Sequence, residues 1–268
     1  LAKSRKCHFH PPRSRAEEPG RLWYTDVAGG GQRTPSVVHG HIYRTVFVES
    51  TTQLKIVLFN EKKNDRATLA NTEFWTERVL PLFRKDADTA AHLVYLAHDN
   101  GEMVSDRVQK LLAGARVVSR HTCPYTPEQN GMAERANRYL DEGAATMLAA
   151  ARLPEAFWAE ASRHFCLLAN ITPWKKEGSF EIDSYQRLHG RPFAYHLLRV
   201  WGSKCFVYDQ LRDASNLSPR AIRGIYVGLA HNQITSLSWT HRVYIPTQNR
   251  FVHSGQVQFL EKLIRTPE

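Results

Sequence analysis

Only four of the 268 residues are cysteine (Cys7, Cys123, Cys166 and Cys205), and no two of them stand in CxxC spacing. So few thiols, so placed, build neither a disulfide framework nor a complete structural zinc site, and they fit a reducing intracellular compartment. Long apolar runs are also missing. Nothing approaches the roughly eighteen residues a membrane-crossing helix requires, and the basic N-terminus runs into Pro11-Pro12 instead of an apolar signal segment. No membrane partner and no targeting signal are expected. There is no internal repeat, which excludes a solenoid, and no low-complexity tract beyond an alanine-rich stretch within 131–151. The chain opens on Leu1 and not on methionine, which suggests a piece of a larger polyprotein.

What is present is apolar content of 42%, enough to bury the core of one ordinary domain and of a smaller one. The formal net charge is +10 and it sits on the flanks. Residues 1–21 hold six Lys/Arg against two Glu, and residues 193–268 hold nine against four acids. Such a distribution suits a polyanionic partner.

Periodicity orders the elements. Leu22 to Val27 reads as a strand closed by Gly29-Gly30-Gly31, and Ile42–Val48 and Leu54–Phe59 as a hairpin. From Asn64 to Pro81 the apolar spacing becomes helical. A short strand over 92–96 runs into Asp99-Asn100-Gly101, then come a helix over 103–112 and a strand over 116–119. After a polar loop, 121–130, the segment 131–151 carries one apolar face, and a second helix follows over 154–169. Short strands at 204–208, 224–229, 238–245 and 257–260 predict a small antiparallel barrel.

Three carboxylates stand out in this order: Asp26 at the end of the first strand, Asp99 just after the fourth, and Glu134 in the first turns of the 131–151 helix. Phosphoryl transfer can be run by two divalent cations held between carboxylates, and Asp and Glu are hard oxygen ligands for Mg²⁺. Each residue alone has a plainer reading. Asp99-Asn100-Gly101 is a turn sequence, Glu134 and Arg138 make an i,i+4 ion pair on a solvated helix, and Asp26 ends a strand. The combination in this order is what lifts the catalytic reading.

The segment from Pro124 to Arg138, PYTPEQNGMAERANR, closely resembles the signature of copia-type (Pseudoviridae-like) retrotransposon integrases. Trp23-Tyr24-Thr25-Asp26-Val27-Ala28-Gly29 resembles the family's first-aspartate strand, and Asp99-Asn100-Gly101-Glu102 its second-aspartate motif, one residue shorter. Later stretches continue the likeness: 153–158, 190–192, 198–202 and 224–228, to about 261. The resemblance implies a ribonuclease H-like core over 21–175, after a basic arm (1–20), with a linker over 176–192, an SH3-like β-barrel over 193–262 and a tail over 263–268. It implies an integrase, an Mg²⁺-dependent (or Mn²⁺-dependent) DNA polynucleotidyl transferase whose two ions are held by Asp26, Asp99 and Glu134. No structural zinc is expected: the zinc module that precedes such cores is missing, and Cys7, His8 and His10 read as incidental.

By the same resemblance Tyr125, Asn130 and Arg138 face double-stranded DNA, both the element's cDNA ends and the target. The protein would act as a homo-oligomer, in the nucleus when functional. Thr126 and Pro127 read instead as a helix cap. Arg220, Arg223, Arg242 and Arg250 are candidates for a basic barrel surface that holds DNA. The alternative is a catalytically inactive remnant that keeps fold and DNA binding; a ribonuclease H-type hydrolase fits the PYTPEQNGMAER segment poorly.

Overall fold

Along Leu22–Gly29 (β1) the side chains alternate between two packed faces, Trp23 and Thr25 to one side, Tyr24 and Asp26 to the other, the period-two pattern of a strand inside a layered fold. In the computed structural model the described residues are 18–30, 33–84, 92–99, 102–121, 130–176, 179–180, 182–208, 221–230 and 240–261. β1 pairs antiparallel with Tyr43–Glu49 (β2), which pairs antiparallel with Lys55–Asn60 (β3). On its other side β1 runs parallel to Val94–His98 (β4), and β4 parallel to Val117–His121 (β5). The sheet order is β3-β2-β1-β4-β5. Two parallel additions to an antiparallel meander, with a helix in each crossover, make this a mixed sheet of the ribonuclease H-like kind expected from the sequence.

One face of the sheet is covered by Asp65–Phe74 (α1), which runs on through 3₁₀ and π turns to Leu82, and by Asp106–Gly114 (α2). Both helices start on side-chain caps, Asn64 accepting from Ala67 N–H and Ser105 from Val108 N–H. Trp23, Phe47, Trp75, Leu80, Leu96 and Leu112 fill the space beneath them. The other face is covered by Gly131–Ala151 (α3) and Trp158–Ile171 (α4), over Val46, Val48 and Val57. α3 and α4 cross at Gly143, where an added Cβ would lie 2.2 Å from a Phe165 ring carbon. Phe165 is itself backed by Tyr139, ring centroids 5.0 Å apart. Alanine is worth about 1 kcal/mol over glycine inside a helix, but overpacking costs about 1–3 kcal/mol. Gly143→Ala should therefore lower the melting temperature by several degrees, and Phe165→Leu in the same chain should restore part of it; an unchanged melting temperature would show that the helices separate freely.

The stretch read as a linker contains a short helix, Ser184–His189 (α5), capped by the Asp183 carboxylate and ended by left-handed Gly190. Beyond it Lys204–Tyr208 (β8), Ala221–Ala230 (β9), Thr240–Ile245 (β10), Arg250–Ser254 (β11) and Val257–Phe259 (β12) form an all-antiparallel sheet, order β11-β10-β9-β8-β12, where the SH3-like barrel was expected. A two-stranded ribbon, Lys175–Lys176 (β6) with Ser179–Phe180 (β7), lies between. The second sheet is tied to the helical layer. Ala144, Phe157, Ala161, Trp201 and Val227 share one cluster, and Leu167, Ile171, Tyr185, Phe193 and Leu229 another. Glu160 of α4 is nearly buried and paired with Arg242 of β10 at 2.9 Å.

Candidate active site

The residues singled out from the sequence fall where β1 and β4 run side by side. The parallel register pairs Trp23 with Leu96 and Tyr24 with Ala97. Two residues further on, the same register brings Asp26 level with Asp99, on the sheet face that α3 covers. Asp99 is exposed, directly beyond the end of β4.

α3 is fastened to this spot at two points. Asn130, which precedes its first turn and is buried, donates from Nδ2 to the Thr25 carbonyl at 3.2 Å. Asn137 donates from Nδ2 to Asp26 Oδ2 at 2.9 Å. Residues 130, 134 and 137 follow one stripe of a helix, so Glu134 lies between the two anchors, itself exposed and in the first turn, where the helix dipole favours an anion. Arg138, one turn beyond Glu134, is exposed as well. Tyr125, Thr126 and Pro127 lie outside the described residues, as do the arm's Cys7, His8 and His10, and Arg220. Among the described residues no three His, Cys, Asp or Glu side chains gather closely enough to hold a metal ion. The donor set is nevertheless of the right chemistry for a hard divalent cation: carboxylates only, with one Asp26 oxygen turned to an amide donor.

Sequence reasoning missed the groups that hold these residues in place. His98, polar in an otherwise apolar strand, is buried between β4 and β5. Its Nδ1 lies 2.6 Å from the Asp99 carbonyl and its Nε2 2.7 Å from Ser119 Oγ. A carbonyl only accepts, so the proton sits on Nδ1 and Ser119 donates to Nε2. Ser119 Oγ in turn accepts from Gln109 Nε2, which also donates to the Met103 carbonyl. Burial, together with the His121 ring at 4.7 Å, holds the His98 pKa below the ordinary histidine value, in keeping with this neutral tautomer. The backbone leaving β4 at Asp99 is thereby fixed from behind. No spacing rule announces such a histidine; its only sequence signal is a polar residue within an apolar strand.

On the α3 side, burial raises the Tyr24 pKa, opposed by the positive charges of Arg120 and Arg135. Arg120 stacks on Tyr95, its guanidinium carbon 3.7 Å from the ring centroid. On the second sheet Arg242 is committed to Glu160 and to the Phe251 ring at 3.9 Å, and Arg250 donates to Gln248. Arg242 is thus a fastening between layers, which its place in the sequence did not show.

A ribonuclease H-like sheet with an α3-anchored aspartate on β1, followed by an antiparallel sheet, defines the class of this chain. No protein-family model matches it. Over 251 residues, 91% of the chain, it is 29% identical to the retrovirus-related Pol polyprotein from transposon TNT 1-94 of Nicotiana tabacum, of which it covers 17%. It is 30% identical over 169 residues, 60% of its length, to the corresponding polyprotein from transposon RE2 of Arabidopsis thaliana, covering 11% of that protein. The chain is therefore related to copia-type Pol polyproteins of plant transposons, and it spans less than a fifth of the relatives it matches. Among solved structures it resembles an HTLV-2 integrase catalytic core domain in complex with magnesium, with 15% identity and a TM-score of 0.43 over 65% of this chain and all of that one. It also resembles a chain of a simian T-cell lymphotropic virus intasome in complex with PP2A regulatory subunit B56 gamma, with 13% identity and a TM-score of 0.47 over 94% of this chain and 82% of that one. Among the described residues no helix is long and apolar enough to cross a membrane.

Proposed function

We propose that the chain is the catalytic and C-terminal part of a retrotransposon integrase, which trims the 3′ ends of the element's cDNA and joins them to target DNA. What supports this reading is that Asp26 stands level with Asp99 in the β1–β4 register, while α3, the helix that carries Glu134, is bonded to β1 at Thr25 and Asp26. Asp26, Asp99 and Glu134 would hold two Mg²⁺ (or Mn²⁺) ions. When bound, such ions activate the attacking hydroxyl and neutralise the leaving oxygen.

The chain's own residues supply position and charge. Asn137 holds the Asp26 carboxylate in one orientation, and His98 holds the backbone at Asp99. Exposed Arg138 offers a planar, bidentate donor to a phosphate one turn from Glu134. Tyr125 is the further DNA contact proposed, whereas Asn130, given the same role by the resemblance, is buried against the Thr25 carbonyl and serves to anchor α3. The division into core (21–175), linker and barrel (193–262), action as a homo-oligomer and a nuclear site of action belong to the same reading.

Strand transfer from a donor duplex with Mg²⁺ or Mn²⁺ tests it. Duplex binding supplies an independent measure: neutralising phosphates releases counterions, so affinity should fall steeply as salt rises from about 50 to 200 mM. Salt-independent binding, or none, would remove DNA as the partner. The shortened second motif favours a second reading, a remnant that binds DNA but does not join it; binding without transfer in either metal would select it.

A further inference from the structure

Arg44 is the largest charged side chain buried completely in the described core, and nothing in the catalytic reading uses it. An unpaired guanidinium in that position would cost several kcal/mol, so its partners show what it is for. It stands on β2 opposite Ala28, two residues from Val46, the partner of Asp26, and therefore on the same sheet face as Asp26.

All five of its N–H groups have a use. Nε and one Nη2 hydrogen go to Asn137 Oδ1 at 3.2 and 2.9 Å, and the other Nη2 hydrogen to the Asn137 carbonyl at 2.9 Å. Nη1 reaches Asp141 Oδ1 at 2.9 Å and Ser162 Oγ at 3.1 Å. The consequence falls on the Asn137 amide. With Oδ1 gripped by two donors of a cation, Nδ2 must face the other way, and it faces Asp26 Oδ2. Flipping the amide would set donor against guanidinium and acceptor against carboxylate, losing three hydrogen bonds at once. A buried cation thus orients an amide dipole that in turn fixes one oxygen of the aspartate and leaves the other for a ligand.

We infer that Arg44 is a positioning residue: through Asn137 it locks the Asp26 carboxylate in the orientation that metal binding and strand transfer require. The inference rests on the proposed role of Asp26. A purely structural Arg44 would only pin β2 to α3 and α4 through Asp141 and Ser162.

Four variants of the whole chain separate these roles: Arg44→Lys, Asn137→Ala, the two combined, and Arg33→Gln. Arg33 also meets Asp141, at 3.2 Å, and stacks on Trp158, but is not bonded to Asn137, so its loss reports stability alone. The readouts are Mn²⁺ affinity by electron paramagnetic resonance, the NMR signal of the Asn137 side-chain amide without metal, strand-transfer kcat and KM, and the melting temperature. Arg44→Lys keeps the charge but cannot grip Oδ1 twice. It should shift the amide signal, weaken Mn²⁺ binding and lower kcat by about 10- to 100-fold, the usual effect of removing a group that orients a metal ligand, with KM for DNA little changed. Asn137→Ala should weaken Mn²⁺ to a similar degree, and the double variant should lose no more than the worse single.

Arg33→Gln should lower the melting temperature and leave Mn²⁺ affinity unchanged. The proposal is overturned if Arg44→Lys and Asn137→Ala lower the melting temperature with Mn²⁺ affinity at the unsubstituted level, or if Arg33→Gln weakens Mn²⁺ as much as they do. Asp26→Asn identifies the other failure. If it leaves Mn²⁺ binding intact while still moving the Asn137 amide signal, the hydrogen-bonded chain is real but Asp26 is not a metal ligand, and the functional reading fails together with the role given to Arg44.

Discussion

Asp26→Asn, Asp99→Asn and Glu134→Gln are each expected to reduce strand transfer to background while leaving the fold and salt-dependent DNA binding nearly as they were. Each change keeps side-chain volume and removes one ligand charge. At Asp26 the fold should tolerate it, because an asparagine Oδ1 can still accept from Asn137 Nδ2. Asp99 and Glu134 are exposed, where substitutions usually cost less than about 0.5 kcal/mol. Because the three would serve one pair of ions, double substitutions should lose little beyond the singles. Glu102 is the internal control: it starts the 3₁₀ turn after the second motif, and Glu102→Gln should retain activity. Activity lost with Glu102→Gln but kept with Asp99→Asn would mean that the shortened motif places Glu102, not Asp99, in the site.

Where sequence and structure agree, local chemistry dominates. The helix Gly131–Ala151 begins and ends where its apolar stripe does, because twenty-one residues of unbroken period outweigh any tertiary preference. β8 also matches its expected limits, and β1 to β3 agree to within about two residues at each end. The disagreements have particular causes. β4 runs from Val94 to His98, two residues later than the apolar run suggests, since His98 is made compatible with burial by Asp99 and Ser119, and those partners come from the fold. β11 was not anticipated because Arg-Phe-Val-His-Ser shows little apolar character and owes its strand to pairing with β10. α5 is only six residues long, too short for a period to declare itself, although Asp183 and Gly190 mark both of its ends. The candidate site divides the same way: its carboxylates sit in motifs a reader of sequence can find, while Arg44, Asn137 and His98 acquire meaning from partners up to 118 positions away. Hydrogen-bond partners at that separation leave no local period or spacing.

The joint between α4 and the second sheet should make the protein acid-sensitive through His164. This residue is buried on α4, and burial depresses its pKa from 6.5 to about 4. Gly228 of β9 closes over it: φ there is +125°, and an added Cβ would lie 3.0 Å from His164 Nδ1. No protein hydrogen bond to that nitrogen is found among the described residues, so a proton placed on it would be a buried charge without compensation. The sign follows from which state binds the proton first. The unfolded chain takes it up near pH 6.5, the folded chain only near 4, so stability present above pH 6.5 is lost as pH falls towards the folded value. A gap of that size corresponds to about 3 kcal/mol, a large share of the roughly 5–15 kcal/mol that holds most domains together. His41, also depressed to about 4 but only partly buried, adds a smaller, solvent-screened amount of the same sign. Glu49 works the other way, since burial raises its carboxyl pKa and the fold accepts that proton earlier than the unfolded chain does. Urea unfolding between pH 7.5 and 4.5 should therefore show stability dropping most steeply below pH 6.5, and His164→Leu, which removes both the titration and the unpaired nitrogen, should flatten that drop. An equally steep drop in His164→Leu would assign the acid sensitivity to groups elsewhere in the chain.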